Sequence, residues 1–406
     1  VSTAAGLWNR VLPSGWRELP KVVWVLVAAR AANRLGAFTL PFLSLVLVQE
    51  FGVSVAVAGL LITGFGAATI PSRLLGGRFA DRIGRKVTIV IGLVGCAVAQ
   101  LLVAATSSLV VVAVAVLILG LAFELYEPPS QAIIADVTTP EHRSAAYGLL
   151  GAALAGAAVG AGLLAAWIGQ FSLRWLFVID AATCLACALV VLFVLPNAER
   201  EVKSEEEPVR ARPWRDPGLM AMLAAGTVFA VLYYLITFGV PLTLVERGLS
   251  AEQFGLLLAL GALTIVLGQP LLAMRKVEQL NDFTAMTIGY LLLGTGLLGY
   301  AVATSFTGFV VATVIESVGD LVLLGRAYSV VATLAPEHAR GRYMAVFGTS
   351  WGAAAVIAPL GGMRLLDLTN GFVFWVTCAA ACAALAVAQP FLRRYLSVAP
   401  KQELAA

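Results

Sequence analysis

Charged side chains interrupt long apolar runs of this chain in pairs at helical spacing: Arg30 with Arg34, Glu124 with Glu127, and Glu316 with Asp320. Residues three or four apart lie on one face of a helix, so each pair presents two like charges in one direction. Asp180 stands alone in another apolar run, and Arg326 follows Asp320 by about two turns. A carboxylate shut away from water is disfavoured as an anion and takes up a proton readily, which suits it to trading a proton for another solute. The same carboxylate beside an arginine forms an ion pair that only holds helices together. Aromatic residues accompany these charges: Phe38, Tyr126, Tyr233, Tyr234, Phe238, Phe347 and Trp351. Ring faces with acids below them suit an amphiphilic or cationic organic molecule. Rings at 9% of the chain are ordinary in number, so packing explains them equally well.

The setting of these groups follows from composition. Hydrophobic residues make up 60% of the 406 and charged ones 12%, with a mean hydropathy of +0.92; soluble domains carry about 45–50% and about 25%. The chain is therefore read as resident in a lipid bilayer. Crossing about 30 Å of hydrocarbon takes about 20 residues. Twelve candidate spans result, at 22–48, 54–75, 87–105, 108–132, 144–169, 171–195, 218–245, 251–273, 283–303, 306–333, 342–365 and 370–392. Lipid leaves backbone polar groups unsatisfied and no run alternates polar with apolar residues, so each span is expected to be a helix.

Orientation follows from the basic residues. With both termini on one side, that side collects Arg10, Arg17 and Lys21, the cations between Arg73 and Lys86, Arg143, and those between Arg200 and Arg215. It also takes Arg275, Lys276, Arg340, Arg342, Arg393, Arg394 and Lys401, against Arg174, Arg247 and Arg364 opposite. Both termini are therefore expected in the cytoplasm. The same bias explains the net charge of +4 without a nucleic-acid partner. The first apolar stretch is too long for a cleavable leader and is expected to be the first span. Cys96, Cys184, Cys187, Cys378 and Cys382 all fall inside spans with no histidine near. They read as small packing residues, and neither a metal nor another cofactor is expected.

The chain repeats itself. TTPEHRSAAYG at 138–148 returns as LAPEHARGRYM at 334–344, an offset of 196 that also carries EFGVS at 50–54 onto ERGLS at 246–250 and Glu124 onto Asp320. FTLP at 38–41 returns as FGVP at 238–241 after a short indel. Two homologous halves of six spans follow, residues 1–195 and 218–406. The polar, charge-mixed stretch 196–217 is expected to be a cytoplasmic tether between them.

Six plus six helices in a parallel repeat is the arrangement of major facilitator transporters. Gly77 to Lys86 reads GRFADRIGRK between the second and third spans. It resembles that superfamily's loop signature, G-x-L-a-D-R-x-G-R-K, with Phe79 where Leu is usual. The topology and the half repeat extend the resemblance across nearly the whole chain. It implies an all-α integral membrane protein of twelve transmembrane helices in two six-helix bundles, working by alternating access. Helices one, four, seven and ten would line a central cavity. It also implies that Gly77, Asp81, Arg82, Gly84, Arg85 and Lys86 form a cytoplasmic latch, closing near Gly341 and Arg342. Physically, Gly76 and Gly77 permit close approach of helix ends and Gly84 a tight turn. The cations can also anchor on anionic lipid, and the two readings are compatible.

The end of the fourth span, FELYEPPSQAIIADVTTPEHR, is similar to a segment of bacterial multidrug-efflux members, which implies export driven by protons. Two features depart from those relatives. No arginine stands around Leu117–Phe123, and Gly151, Gly156, Gly160 and Gly162 of the fifth span lack the usual following proline. Uptake or facilitated transport of a small metabolite is the alternative, and a membrane sensor or binding protein the alternative of another class. As an exporter, the chain would use Asp320 and Glu316 first as proton groups, then Glu124, Glu127 and Asp180. Arg30, Arg34 and Arg326 would be their partners in the cavity, Arg30 and Glu124 lying at similar depth, so that an ion pair is feasible. Spacings such as Gly156 with Gly160, Gly92 with Cys96, and Gly348 with Gly352 predict close helix contacts. Both histidines fall in loops and no phosphate loop or nucleophile motif appears, so an enzyme is not expected. The expected partners are a small-molecule substrate, protons and the bilayer, with the chain working as a monomer.

The latch is testable. Asp81→Asn keeps the topology-setting cations and removes one anion. It should leave membrane insertion intact, lower transport several-fold and raise labelling of cytoplasmic-side cysteines. Unchanged labelling together with unchanged transport would leave lipid anchoring as the loop's whole role.

Overall fold

The computed structural model describes residues 16, 18–36, 38–126, 129, 130, 133, 134, 137–194, 213–272, 280–323, 325–336 and 340–398. At 73, 74, 77, 81, 140, 141, 143–145, 270–272, 340, 341, 397 and 398 it describes the backbone alone. The helices, in order, are α1 (Lys21–Leu35), α2 (Thr39–Gln49), α3 (Val55–Ile83), α4 (Arg85–Ala105), α5 (Leu109–Phe123), α6 (Pro140–Gly169) and α7 (Leu173–Val194). They continue with α8 (Pro217–Glu246), α9 (Gln253–Leu272), α10 (Asp282–Val302), α11 (Phe306–Leu323), α12 (Arg326–Leu334), α13 (Arg340–Ile357), α14 (Met363–Leu368) and α15 (Gly371–Val398). Among the described residues, ten helical stretches are long and apolar enough to cross a bilayer, and two shorter apolar helices, Leu109–Phe123 and Gln253–Gln269, stand where the fourth and eighth spans are expected.

Three expected spans are interrupted, each for a local reason. The first breaks between α1 and α2, where Gly36 precedes Pro41: a proline cannot donate to the carbonyl four residues back, and its ring crowds that carbonyl. The fourth ends at Phe123 because Pro128 and Pro129 remove the donors that the carbonyls of Glu124 and Leu125 would use. The tenth divides into α11 and α12 at Gly325, whose φ of 77° is left-handed and suits glycine. In the eleventh, Pro359 falls in a π turn, Ala358–Gly362, that joins α13 to α14.

By contact the chain forms two compact units, one of Val1–Thr39 with Ala67–Glu201 and the other of Leu40–Gly66 with Val202–Ala406, taken below for their described residues. The stretch Leu40–Gly66 thus packs with the second half of the chain, although by repeat it belongs to the first. Phe42 meets Phe254 with ring centres 5.3 Å apart, and Ser44 Oγ donates to the Phe238 carbonyl at 3.4 Å. Gly59 and Gly66 of α3 lie directly on the carbonyls of Pro359 and Ala355; a Cβ on either would stand 2.4 or 2.1 Å from the oxygen. Pro359 withholds the helical donor from Ala355, and a glycine backbone can come close enough to cover that carbonyl.

Elsewhere the glycine expectations divide. Gly92 meets Leu125 and Tyr126, and Gly160 meets Leu35, but Gly156 and Gly348 have no described atom within 4 Å of an added Cβ. Spacing alone does not say which side of a helix has a neighbour. Two of the three arginines expected opposite the termini have a structural task. Arg174 donates to the carbonyls of Ala104 and Thr106 at 3.3 and 2.8 Å, closing α4. Arg247 donates to Tyr300 and Ala301 at 2.7 and 2.9 Å and also to Ala303, closing α10. Each supplies donors and positive charge to the last carbonyls of a helix, where both are lacking.

Gly66→Val should lower the thermal stability of the purified protein by about 1–3 kcal/mol, the usual cost of overpacking, with Gly66→Ala intermediate. Full stability of the valine variant in a melting experiment would mean that α3 does not rest on Ala355.

Candidate functional site

The residues singled out for chemistry lie in both units, and each unit positions its own. In the second unit, Phe229, Tyr233, Tyr234 and Phe238 recur along α8 at helical spacing and face Trp351 of α13. Helix approach is set one turn before Trp351, where Phe347 presses on Gly226; a Cβ there would lie 2.7 Å from the ring. Trp351 then stands edge-on to Tyr233 at 5.3 Å and to Tyr234 and Phe229 at 6.2 Å. Tyr234 stacks on Phe238 at 5.9 Å, and Phe229 reaches Tyr290 of α10 at 6.0 Å. Tyr233 is 40% exposed and Tyr234 and Trp351 are half-buried, so this cluster presents ring surface. Phe238 is buried, and Phe347 is buried against Tyr328 at 4.9 Å; both serve packing. Phe229 escaped the sequence reading, although its place one turn before Tyr233 marked it.

The carboxyl pair also lies in this unit. On α11, Ala312, Glu316 and Gly319 face α10, where an added Cβ on Gly296 would stand 2.6 Å from that of Glu316. Glu316 is buried and accepts a hydrogen bond from Ser317 Oγ at 3.1 Å, with Asp320 one turn further along the same helix. Asp320 Oδ1 is shielded from solvent and has no hydrogen-bond partner among the described residues. The expectation that Glu316 lines a cavity is corrected: it sits between two helices of its own unit, because the glycines opposite admit α11 on that face.

Arg326 also departs from expectation. It pairs with Asp282 at the start of α10, 2.9 Å between nitrogen and oxygen, while Ser329 Oγ donates to the same carboxylate at 3.0 Å. The turn at Gly325 ends α11 and starts a new helix, so the continuous-helix reasoning that put Arg326 below Asp320 does not hold.

In the first unit Arg30 is buried and its guanidinium lies over the Tyr126 ring at 5.0 Å, a cation–π contact. Tyr126 stands edge-on to Phe123 at 6.5 Å. Glu124, between them, closes α5. Gly76 of α3 and Gly92 and Gly95 of α4 make room for this turn, with Ala122, Leu125 or the backbone of Tyr126 against them. Arg34 is exposed, and Phe38, at 1% exposure, belongs to the core. Gly84 has φ 93° between α3 and α4, the tight turn expected of it. Arg82 is exposed, with Arg85 and Lys86 half-buried at the start of α4. Gly77 and Asp81 are described in their backbone alone, and Glu127 lies outside the described residues.

Asp180 of α7 is buried at the break of the first span. Its Oδ2 accepts from the Thr39 hydroxyl at 2.5 Å and the Thr39 N–H at 3.3 Å, and its Oδ1 from Cys184 Sγ at 3.8 Å. Gln100 Nε2 donates to Thr39 Oγ1 at 3.0 Å, and Asn33 Nδ2 to Cys184 Sγ at 3.2 Å. The sequence reading named Asp180 without its partners. Asn33 and Gln100 were visible only as amides within apolar runs.

Comparison with known proteins completes the description. The family model described as Major Facilitator Superfamily matches residues 26–359 and 244–405. A Na(+), Li(+), K(+)/H(+) antiporter of Planococcus maritimus is 26% identical, over 79% of this chain and 83% of its own length. The class E tetracycline resistance protein of Escherichia coli is 26% identical, over 85% and 89%. The multidrug resistance protein MdtH of Aeromonas salmonicida is 25% identical, over 86% and 88%. Among solved structures, a peptide transporter POT with sulfate has a TM-score of 0.78 at 16% identity, covering 93% of this chain and 95% of that one. A D-xylose-proton symporter has a TM-score of 0.73 at 15% identity, covering 90% and 96%.

If the rings around Trp351 form a binding surface, Trp351→Ala should weaken binding of tetraphenylphosphonium about ten-fold, as loss of one ring contact of about 1.4 kcal/mol implies. Trp351→Phe should retain most of it. Equal binding by the alanine variant and the parent in a radioligand assay would assign the cluster to packing.

Proposed function

The chain belongs to the major facilitator superfamily, whose members are secondary transporters and not enzymes, and from that premise we propose that it exports amphiphilic or cationic small molecules in exchange for protons. The observation that carries the proposal is the Glu316–Asp320 pair. Two carboxyl groups one turn apart on one helix, with Glu316 buried, favour holding one proton between them over carrying two charges. Without it, two anions about 4 Å apart repel by about 4 kcal/mol at an effective dielectric constant of 20. That repulsion would act where α11 rests on Gly296, so the proton has a structural consequence. The half-exposed rings of Tyr233, Tyr234 and Trp351 support an organic cation or a flat apolar solute as substrate. Relatives named for tetracycline and multidrug resistance favour export over uptake. Cytoplasmic termini and a cytoplasmic tether remain part of this reading through the basic residues.

Purified protein in proteoliposomes, given a pH gradient of either sign, should accumulate tetraphenylphosphonium in the direction opposite to proton flow and ignore a sugar. Asp320→Asn with Glu316→Gln should cut gradient-driven accumulation more than ten-fold yet leave counterflow exchange within about two-fold, because exchange needs alternating access and no net proton movement. Uphill transport by this double variant would overturn the assignment of the proton to helix α11.

A further inference from the structure

The break in the first span holds polar groups that the transport reading does not use. Asp180 is 4% exposed, and among the described residues it forms no ion pair. Its partners are a hydroxyl, an N–H and a thiol, with Gln100 beside them. These orient a carboxylate but do not neutralise it, and an uncompensated charge among membrane helices is costly. Gln100 is 3% exposed; its amide nitrogen is used on Thr39, while its Oε1 has no hydrogen-bond partner among the described residues. A buried carbonyl in that condition has lost its water without gaining a donor, which is costly. One anion short of a counter-charge and one acceptor short of a donor therefore stand on either side of Thr39.

We propose that Asp180, Thr39 and Gln100 form a binding site for a small monovalent cation, for which an alkali ion and a proton compete. A carboxylate, a hydroxyl and an amide carbonyl are hard oxygen donors of the kind that hold such ions. A single positive charge balances the single carboxylate, whereas a divalent ion would leave a surplus. The site lies at a discontinuous helix, between the end of α1 and the start of α2. Among the described residues no cation is placed against Asp180. From α4 come Cys96 and Gln100, from α7 Cys184 and Cys187, and from α1 Asn33; Arg30 of α1 lies over Tyr126. α2 brings no charged group, and α6 brings His142 and Tyr147 near its start as its titratable side chains among those described.

The second half of the chain has no such site. Thr39 corresponds to Gly239 and Asp180 to Val376, and α8 runs on through Pro241 without a break.

The test needs no substrate and is independent of drug export. Thermal unfolding of the purified protein is followed at pH 8.5 in NaCl, LiCl or KCl against choline chloride at equal ionic strength. At least one alkali ion should raise the midpoint by about 4 °C. Its half-saturating concentration should rise up to about ten-fold for each unit of falling pH, as competition with one proton requires. Asp180→Asn should abolish both effects, and Asp320→Asn with Glu316→Gln should keep them. Should Asp180→Asn not fold, Gln100→Leu retains the carboxylate and should raise the half-saturating concentration about ten-fold. Equal protection by choline, a wild-type response in Asp180→Asn or Gln100→Leu, or no alkali effect up to pH 9.5 would each overturn the proposal.

Discussion

Lipid offers no hydrogen bonds, so wherever a membrane helix stops short, another part of the protein must take over the backbone groups released. Much of what sets this chain apart is concentrated at such places. At the end of α1 the Thr39 N–H passes to Asp180. At the end of α5 the turn over Glu124 and Tyr126 is enclosed by Gly76, Gly92 and Gly95. Around the π turn, carbonyls of α13 and the turn itself are covered by Gly59 and Gly66. At the far ends of α4 and α10 the last carbonyls go to Arg174 and Arg247. Carboxylates, glycines and arginines thus answer one requirement by different means.

The same requirement separates the two halves. They descend from one repeat, yet Glu124 and Asp320, which correspond in sequence, stand in different surroundings. Pro128 and Pro129 end α5 before Glu124, so that residue lies in a turn; Leu324 and Gly325 occupy the corresponding places, and α11 continues beyond Asp320. A carboxylate within a helix has a neighbour one turn away on the same face, as Asp320 has in Glu316. The first half keeps a buried acid elsewhere, at Asp180, where the helix break provides an N–H and a hydroxyl. The proposed proton site and the proposed cation site therefore arise from two different ways of burying an acid.

Close helix approach links these sites to the fold. Gly296 admits Glu316 to α10, Gly226 admits Phe347 to α8 and so aligns Trp351, and Gly36 brings the end of α1 against Thr183 beside Asp180. In membranes no hydrophobic force drives helices together, so contact depends on surfaces that fit and on polar links. Each candidate site here has a glycine next to it for that reason. A larger residue at these positions would move the helix carrying the functional group, not only the group.

By itself the sequence determined the membrane setting, the all-helical class and the family. These depend on composition, on runs of about 20 apolar residues and on long motifs, all of which are local or periodic. It also identified the acids and most of the rings, because a charge in an apolar run is conspicuous wherever it points. Tertiary structure decided what each of them faces. Phe38, Phe238 and Phe347 turned into packing while Phe229 joined Tyr233, Tyr234 and Trp351. Arg326 went to Asp282, and Thr39 and Gln100 came to Asp180 from other spans. The physical reason is that facing depends on the rotation of one helix against its neighbours. That rotation is set by helix breaks and glycine contacts far apart in the chain, and no local spacing encodes it.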